Sequence, residues 1–377
     1  MIPFLGIARQ YDNLRDEILN ATDVVYTSGK VLDGYFTHEF EDQIAKRCDR
    51  KFAVAVNSGT QALIFAQQCQ GISQNKVLIP GISFVATLNS VVMAGNEPVI
   101  VDTDNDFLMD LYKASQFMEQ GNISAVMFVN LYGNVIDYNN LKTAVDLFFK
   151  DQEIKIIEDA AQSFGATYDG IPSGKLGDVS VLSFDPTKNL NNYGSGGMLL
   201  TDDPMLYNDL RDIRDNGKYL GFSSSGTNSK MSESDCAQML VKLQYFDQWQ
   251  KRRTEIANFY TEHLHQFVTP VLPKSNVKHS WHKYVVTTNR DQHRGELYTY
   301  LKERGIETKV HYENTLADYT AAGVSNSKWS YAGLNYSYLP TASRLVDSCL
   351  SLPIYPELTD AEVEYIAESV IAFYVGV

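Results

Sequence analysis

The chain has 377 residues, 44% hydrophobic and 21% charged, the make-up of an ordinary globular protein long enough for one large and one smaller domain. A formal net charge of −14, with no lysine or arginine block, argues against a nucleic-acid surface. Four scattered cysteines without a CxxC pair argue against a disulfide framework or thiolate zinc site, and no apolar stretch approaches the roughly 18 residues of a membrane span, so a soluble cytoplasmic protein is expected.

The N-terminal Met1–Gly6 lacks a basic segment and a long apolar run, and reads as unprocessed. Residues 1–35 read as an arm and a first helix broken at Ser28-Gly29-Lys30. Phe36, Phe40 and Ile44 repeat every four positions and predict a helix over Phe36–Arg47. The apolar run Phe52–Val56 reads as a strand entering Asn57-Ser58-Gly59-Thr60, with Gln61–Ala66 opening a helix behind it. Strand-like runs recur at Lys76–Ile79, Pro98–Val101, Ala125–Asn130, Lys155–Glu158, Val179–Phe184 and Met198–Leu200. Helical patterns such as Thr87–Met93 and Leu141–Lys150 lie between them. Strands alternating with helices predict a mainly parallel sheet covered on both faces, whose ligands bind beyond the carboxyl ends of the strands.

A polar segment, Gly221–Ser229, precedes a long connecting helix over roughly Glu233–His263. Beyond it, from about Thr269 to Val377, a strand near His282–Thr287 and helices near Arg294–Arg304 and Asp360–Tyr374 are expected. The expected fold class is α/β. A large parallel-sheet domain with the N-terminal arm spans residues 1–245, and a smaller C-terminal α+β domain that includes the connecting helix spans 246–377.

Three motifs sit at predicted strand ends. In Asn57-Ser58-Gly59-Thr60, Gly59 permits a sharp turn, Thr60 adds a hydroxyl, and the following helix turns free N–H groups toward an anion; the segment alone is equally a plain strand-to-helix turn. Asp159 ends Ile156-Ile157-Glu158-Asp159, where a carboxylate caps a helix, binds a metal or pairs with a cation. A metal would want histidines or further carboxylates; the neighbouring Glu158 is aimed at the opposite face by strand alternation, and no metal site is expected. Gln162 follows, suited to a hydrogen bond with a ring oxygen. Lys188 lies in Ser183-Phe184-Asp185-Pro186-Thr187-Lys188-Asn189, ahead of the glycine cluster Gly194–Gly197; most loop lysines are surface residues, but this one follows a strand end and a stiffened turn. Phe84 could stack on a planar ring, although an aromatic after a strand is more often core. Of the scattered histidines, His311 in Lys309-Val310-His311-Tyr312 is the one to watch. A lysine, a buried aspartate and a small-residue anion loop in this order are what pyridoxal 5'-phosphate (PLP) chemistry needs: a Schiff-base amine, a partner for the pyridine nitrogen and a phosphate cradle.

Read together with Pro80–Thr87, Gly197–Asp203, Gly305–Tyr312 and Leu352–Thr359, these segments resemble the sugar aminotransferase (DegT-type) family of fold-type I PLP enzymes, nearly end to end. The resemblance implies amination of a nucleoside-diphosphate keto-sugar, with an amino acid, glutamate, as donor. It implies that Lys188 carries the cofactor as a Schiff base and shuttles protons. Asp159 would pair with the pyridine nitrogen, Phe84 stack on the ring and Gln162 touch its hydroxyl, while Gly59, Thr60 and Ser183 hold the phosphate. It also implies a homodimer with shared sites, in which Asn228 of Gly226-Thr227-Asn228-Ser229-Lys230-Met231 reaches the partner's phosphate.

Several residues depart from the family pattern. Lys230 stands for an arginine, Asn130 for a histidine, and Asn314-Thr315-Leu316-Ala317 follows Tyr312 where Pro-Leu-His is usual. These positions are expected toward sugar and nucleotide, together with Tyr193, Lys230, His311 and Tyr312. The stretch Asn189–Gly197 looks more like the loop of relatives acting on 3-keto sugars, which favours C3 over C4, with Tyr193 or its backbone setting how far the sugar enters. Dehydration or epimerisation on the same scaffold, and a catalytically silent sugar-nucleotide-binding regulator, remain alternatives; some relatives with histidine in place of the lysine are dehydratases, so Lys188 argues for transamination.

Overall fold

The apolar runs read from the sequence become the strands of one sheet. In chain order they are β1 (Phe52–Val56), β2 (Lys76–Pro80), β3 (Glu97–Val101), β4 (Ala125–Val129) and β5 (Lys155–Asp159). A short ribbon, β6 (Thr167–Tyr168) and β7 (Ile171–Pro172), precedes β8 (Val179–Ser183) and β9 (Gly197–Thr201). The sheet order is β1-β9-β8-β5-β4-β2-β3, and β9 alone runs against its neighbours. The other six strands therefore end at one edge. A computed structural model of the protein describes all residues except 120–122, 150–153, 223, 289–290, 322–338 and 377.

Alternation along the strands supplies both buried faces. Val77, Ile79, Met127, Ile157, Val181 and Leu199 enter one core, and Leu78, Val126, Phe128 and Ile156 another on the opposite side. Burial on both faces is why the strands read as unbroken apolar runs. Helices α1 (Ile7–Ser28), α2 (Tyr35–Arg47), α3 (Gly59–Cys69), α4 (Val85–Met93), α5 (Leu111–Glu119), α6 (Tyr138–Phe148) and α7 (Pro204–Arg214) are the large unit's helices. The helix expected over Leu141–Lys150 starts earlier, where Asp137 caps it by accepting from Asn140 N, and Lys150 lies outside the described residues. The strand expected to reach Asn130 stops at Val129, since after Asn130 the chain turns through Leu131–Gly133, where Tyr132 has a φ of 59°; the Asn130 side chain is bonded to Glu158 and Ser173.

Helix α8 (Glu233–Leu264), capped by Ser232 Oγ accepting from Asp235 N at 3.1 Å, is about 48 Å long at 1.5 Å per residue. Its first half packs Met239, Leu243 and Phe246 with α1 and α2; Ile256, Ala257, Tyr260 and Leu264 belong to a different core. That second core surrounds the antiparallel sheet of β10 (Thr269–Pro270), β12 (Tyr284–Thr287) and β13 (Cys349–Leu352); β11 (Val277–Lys278) pairs with β6 instead. Helices α9 (Asp291–Glu303) and α12 (Asp360–Val375) complete this smaller unit, while α10 (Leu316–Ala321) and α11 (Pro340–Ser348) set Leu316, Ala342 and Leu345 into the core of the large sheet; the last residue, Val377, lies outside the described residues. The N-terminal arm, grouped with the larger unit in the sequence reading, begins on the smaller one. Ile2 N donates to Gly305 O at 2.7 Å, and Phe4 N to Glu307 Oε2 at 2.9 Å. No helix among the described residues is long and apolar enough to cross a membrane.

Glu158 anchors the face of β5 turned away from Asp159. Its buried carboxylate accepts from Asn130 Nδ2 at 2.8 Å, Ser173 Oγ and Ser180 Oγ at 2.7 Å, Gly174 N at 3.0 Å and Leu176 N at 2.9 Å. Asn130 is thereby corrected from a sugar-facing position to a structural one. Removing this acceptor strands several buried donors, each costing about 1–3 kcal/mol. Glu158→Ala is expected to lower the unfolding free energy by at least about 3 kcal/mol in urea titrations, and Glu158→Gln by less, since the amide oxygen still accepts.

Candidate active site

Beyond the carboxyl edge of the sheet lies a cavity of about 360 Å³. Its floor starts where β1 meets α3. Ser58 caps the helix by accepting from Gln61 N at 3.1 Å, and Ala62 N bonds to Ser58 O. Among the described residues, the N–H groups of Gly59 and Thr60 are left without a partner, at the positive end of the helix. Ser183, the last residue of β8, closes the cradle. A Cβ on Gly59 would sit 2.9 Å from Ser183 Cβ, and one on Gly197 would sit 2.6 Å from the Gly59 nitrogen. Backbone packed this tightly, with free N–H groups and the Thr60 and Ser183 hydroxyls, fits a phosphate.

Asp159 lies next along the edge. Its carboxylate accepts from Ala161 N at 3.1 Å and Thr87 Oγ1 at 3.0 Å, and Thr87 meets Ser83 Oγ at 2.7 Å. Burial raises its pKa, while these donors and Lys188 pull it back toward the ionised form. A buried carboxylate held this way fits a cationic ring nitrogen. Gln162 bridges the two units: Oε1 accepts from Tyr132 N at 3.1 Å and Nε2 donates to Tyr312 Oη at 3.0 Å. One amide N–H remains for a ligand. Phe84 is half-exposed at the start of α4, its ring 6.1 Å from that of Tyr312.

Lys188 lines the same cavity from the turn after β8. Burial pushes its ammonium pKa down, against the pull of Asp185 and Asp159. His311 Nδ1 lies 2.9 Å from Ser351 Oγ, and burial together with Lys283 and Lys188 pushes its pKa down to about 3, so the imidazole is neutral. Gly59, Thr60, Phe84, Asp159, Gln162, Ser183, Lys188, His311 and Tyr312 therefore converge on one space. Together they carry a phosphate cradle, an aromatic ring, a carboxylate and an amine of lowered pKa, the donor set that PLP requires.

Three expected residues lie elsewhere. Tyr193 packs edge-on to Tyr11 at 5.6 Å, with Lys242 Nζ 3.5 Å over its ring, and does not line the cavity; Ser195 is the residue of its loop that does. Asn228 is exposed and pairs with Asp215, and Lys230 forms an ion pair with Asp215. Their loop touches the cradle from behind, through Asn57 N donating to Ser229 O at 2.8 Å. The sequence reading missed Phe4, Thr87, His282, Lys283 and Lys309, all at the cavity wall. Thr87, one turn after Ser83, was within reach of helical spacing; the others come from the arm and small unit, where no local pattern marks them. Among the described residues no cluster of His, Cys, Asp or Glu could hold a metal ion.

Residues 12–371 match the DegT/DnrJ/EryC1/StrS aminotransferase family. The chain is 32% identical to a pleiotropic regulatory protein of Geobacillus stearothermophilus, over 99% of this chain and 98% of that one. It is 31% identical to the dTDP-3-amino-3,6-dideoxy-alpha-D-galactopyranose transaminase of Aneurinibacillus thermoaerophilus, over 98% and 99%. Among solved structures, S. venezuelae DesV in complex with a ketimine intermediate superposes with a TM-score of 0.88 at 32% identity, over 98% of this chain and 97% of that one.

The contact between Gly197 and the Gly59 nitrogen gives a direct test of the cradle. Gly197→Ala is expected to weaken PLP binding by about tenfold or more, since overpacking at backbone typically costs 1–3 kcal/mol. Gly194→Ala, whose Cβ would find its nearest neighbour at 3.5 Å, is the control and should bind normally in a fluorescence titration.

Proposed function

The chain belongs to the DegT/DnrJ/EryC1/StrS aminotransferase family, and on that footing we propose that it moves an amino group from glutamate to C3 of a nucleoside-diphosphate keto-sugar. That it is a PLP-dependent aminotransferase acting on nucleotide sugars follows from membership. The donor, the carbon, the residue roles, the homodimer and a cytoplasmic location are the proposal. The observation that carries the residue roles is the meeting of Lys188, Asp159 and the free N–H groups of Gly59 and Thr60 at strand ends in one cavity.

When bound, PLP supplies the electron sink that lets an amino group pass between an amino acid and a carbonyl carbon. The chain's residues do the rest. Gly59 and Thr60 N–H, with the Thr60 and Ser183 hydroxyls, hold the phosphate. Asp159 keeps a negative charge beside the ring nitrogen and so favours its protonated form. Phe84 covers the ring and Gln162 offers its remaining N–H to the ring hydroxyl. Lys188 is the group that carries the cofactor and, when released, takes and returns a proton at Nζ; its lowered pKa favours the neutral amine that this needs.

Asn228 and Lys230 sit outside their own subunit's cavity, Asn228 exposed and Lys230 paired with Asp215, and the exposed Asn228 supports a site completed by a second copy. The four free cysteines, three of them buried, are compatible with a reducing cytoplasm. C3 is supported by the loop Asn189–Gly197 and by the 3-amino sugar of the Aneurinibacillus transaminase. Ser195, not Tyr193, is the side chain through which this loop meets the cavity.

Lys188→Ala is expected to fold and retain cofactor non-covalently but to lose turnover by at least about a thousandfold. Mixed with an equally inactive Asn228→Ala/Lys230→Ala chain, it should recover activity, because a hybrid dimer regains one intact shared site. No recovery after verified subunit exchange would mean that each site is built from one chain.

NMR of the product made from matched 3-keto and 4-keto nucleotide sugars is expected to show nitrogen on C3. Clean amination of the 4-keto compound alone would reverse the assignment.

A further inference from the structure

The small unit supplies a second group of basic side chains to the cavity wall, His282, Lys283, Lys309 and His311, of which burial keeps both imidazoles neutral. Most of its positive groups have an assignment. Lys188 is committed to the cofactor, and Lys309 Nζ pairs with Glu307 at 3.0 Å. The nearby Arg253 donates to the carbonyls of Trp281 and Ile354. Lys283 has none. It is only 5% exposed, and among the described residues Nζ makes no hydrogen bond or ion pair; its recorded neighbour is the Phe4 ring, 5.0 Å from the nitrogen to the centroid. Its backbone N–H donates to Tyr132 O at 3.1 Å, which fixes the residue beside the Tyr132–Gln162–Tyr312 chain.

An ammonium buried without a partner is costly, so such a site either keeps the amine neutral or receives an anion. Burial and the nearby charges of Lys188 and Arg253 press toward the neutral amine. The carboxylates in the same cavity are already engaged: Asp159 by Ala161 and Thr87, Asp185 by the Thr187 N–H and hydroxyl. An anion that meets Lys283 in this cavity is therefore one that a ligand brings.

We propose that Lys283 recognises a carboxylate of a reacting molecule, and that this is the carboxylate of the amino-acid donor. The assignment rests on the transaminase reading, in which an amino acid must enter the cavity beside Lys188 in every cycle. A lysine suits this task as a compact charge that gains its proton when the carboxylate arrives and releases it when the keto acid leaves. An acceptor sugar that itself bears a carboxylate is the other source of the same chemistry.

The test uses wild-type, Lys283→Met and Lys283→Arg holoenzymes, with the cofactor absorbance and melting temperature as checks on folding. Calorimetry with maleate, a non-reacting dicarboxylate, reads binding without turnover. Single-turnover reactions with glutamate, with an uncharged keto-sugar nucleotide and with a carboxylate-bearing one read the two halves of the cycle. Lys283→Met is expected to weaken maleate binding and raise the half-saturating glutamate concentration by about tenfold or more, leaving the uncharged sugar within about twofold, with Lys283→Arg in between. A loss confined to the carboxylate-bearing sugar overturns the donor assignment and moves the same contact to the acceptor. Unchanged maleate, glutamate and both sugars, or loss of cofactor alone, overturns the proposal. If the wild-type enzyme fails to react with glutamate, the glutamate-donor reading fails, and the maleate titration still decides whether Lys283 binds a carboxylate.

Discussion

Two adjacent carboxylates at the end of β5 face opposite sides of the sheet, and much of the molecule is arranged around that division. Glu158, on one side, gathers donors from Asn130 just after β4, from β8 and from the segment between Ser173 and Leu176, and holds three stretches of chain together. Asp159, on the other, accepts from Ala161 and Thr87 and turns toward the cavity. The two-residue period of a strand makes this division unavoidable. One carboxylate is spent on structure while its neighbour sits at a binding surface, where burial raises its pKa and Ala161, Thr87 and Lys188 pull it toward the ionised form.

The cavity also reverses the electrostatic character of the chain. A protein with a net charge of −14 lines its central space with Lys188, Lys283, Lys309, His282 and His311 against Asp159 and Asp185. The acidic balance resides elsewhere. Substrates of this enzyme class carry a diphosphate or carboxylate, and such a space draws them in through local charge even though the overall field opposes them. Burial tempers these charges: it lowers the pKa values of Lys188 and Lys283 and holds the His282 and His311 imidazoles neutral.

The arm shows how the small unit is tied into this arrangement. Ile2 extends the small unit by pairing with Ile306, Phe4 enters the cavity wall, and α1 then packs on the first half of α8. One continuous stretch of chain thus touches both cores and the site between them, so a shift of the small unit would be felt at Lys283 and His311.

The chain by itself determined the sheet, the strand-end placement of Gly59, Asp159, Ser183 and Lys188, and the division of roles between Glu158 and Asp159. These are local properties: apolar runs, alternation, and turn residues within a few positions of one another. It did not reveal that Asn130 belongs to the Glu158 network, that Tyr193 turns toward Tyr11 and Lys242, or that Lys283 and Phe4 complete the wall. Those facts depend on contacts between residues more than a hundred positions apart for Phe4, Tyr11 and Lys283. A lysine beside an aromatic in sequence looks the same whether it ends in solvent or in a cavity. Only the packing of the arm and small unit against the strand ends decides which, because burial and the absence of a partner are properties of the assembled fold.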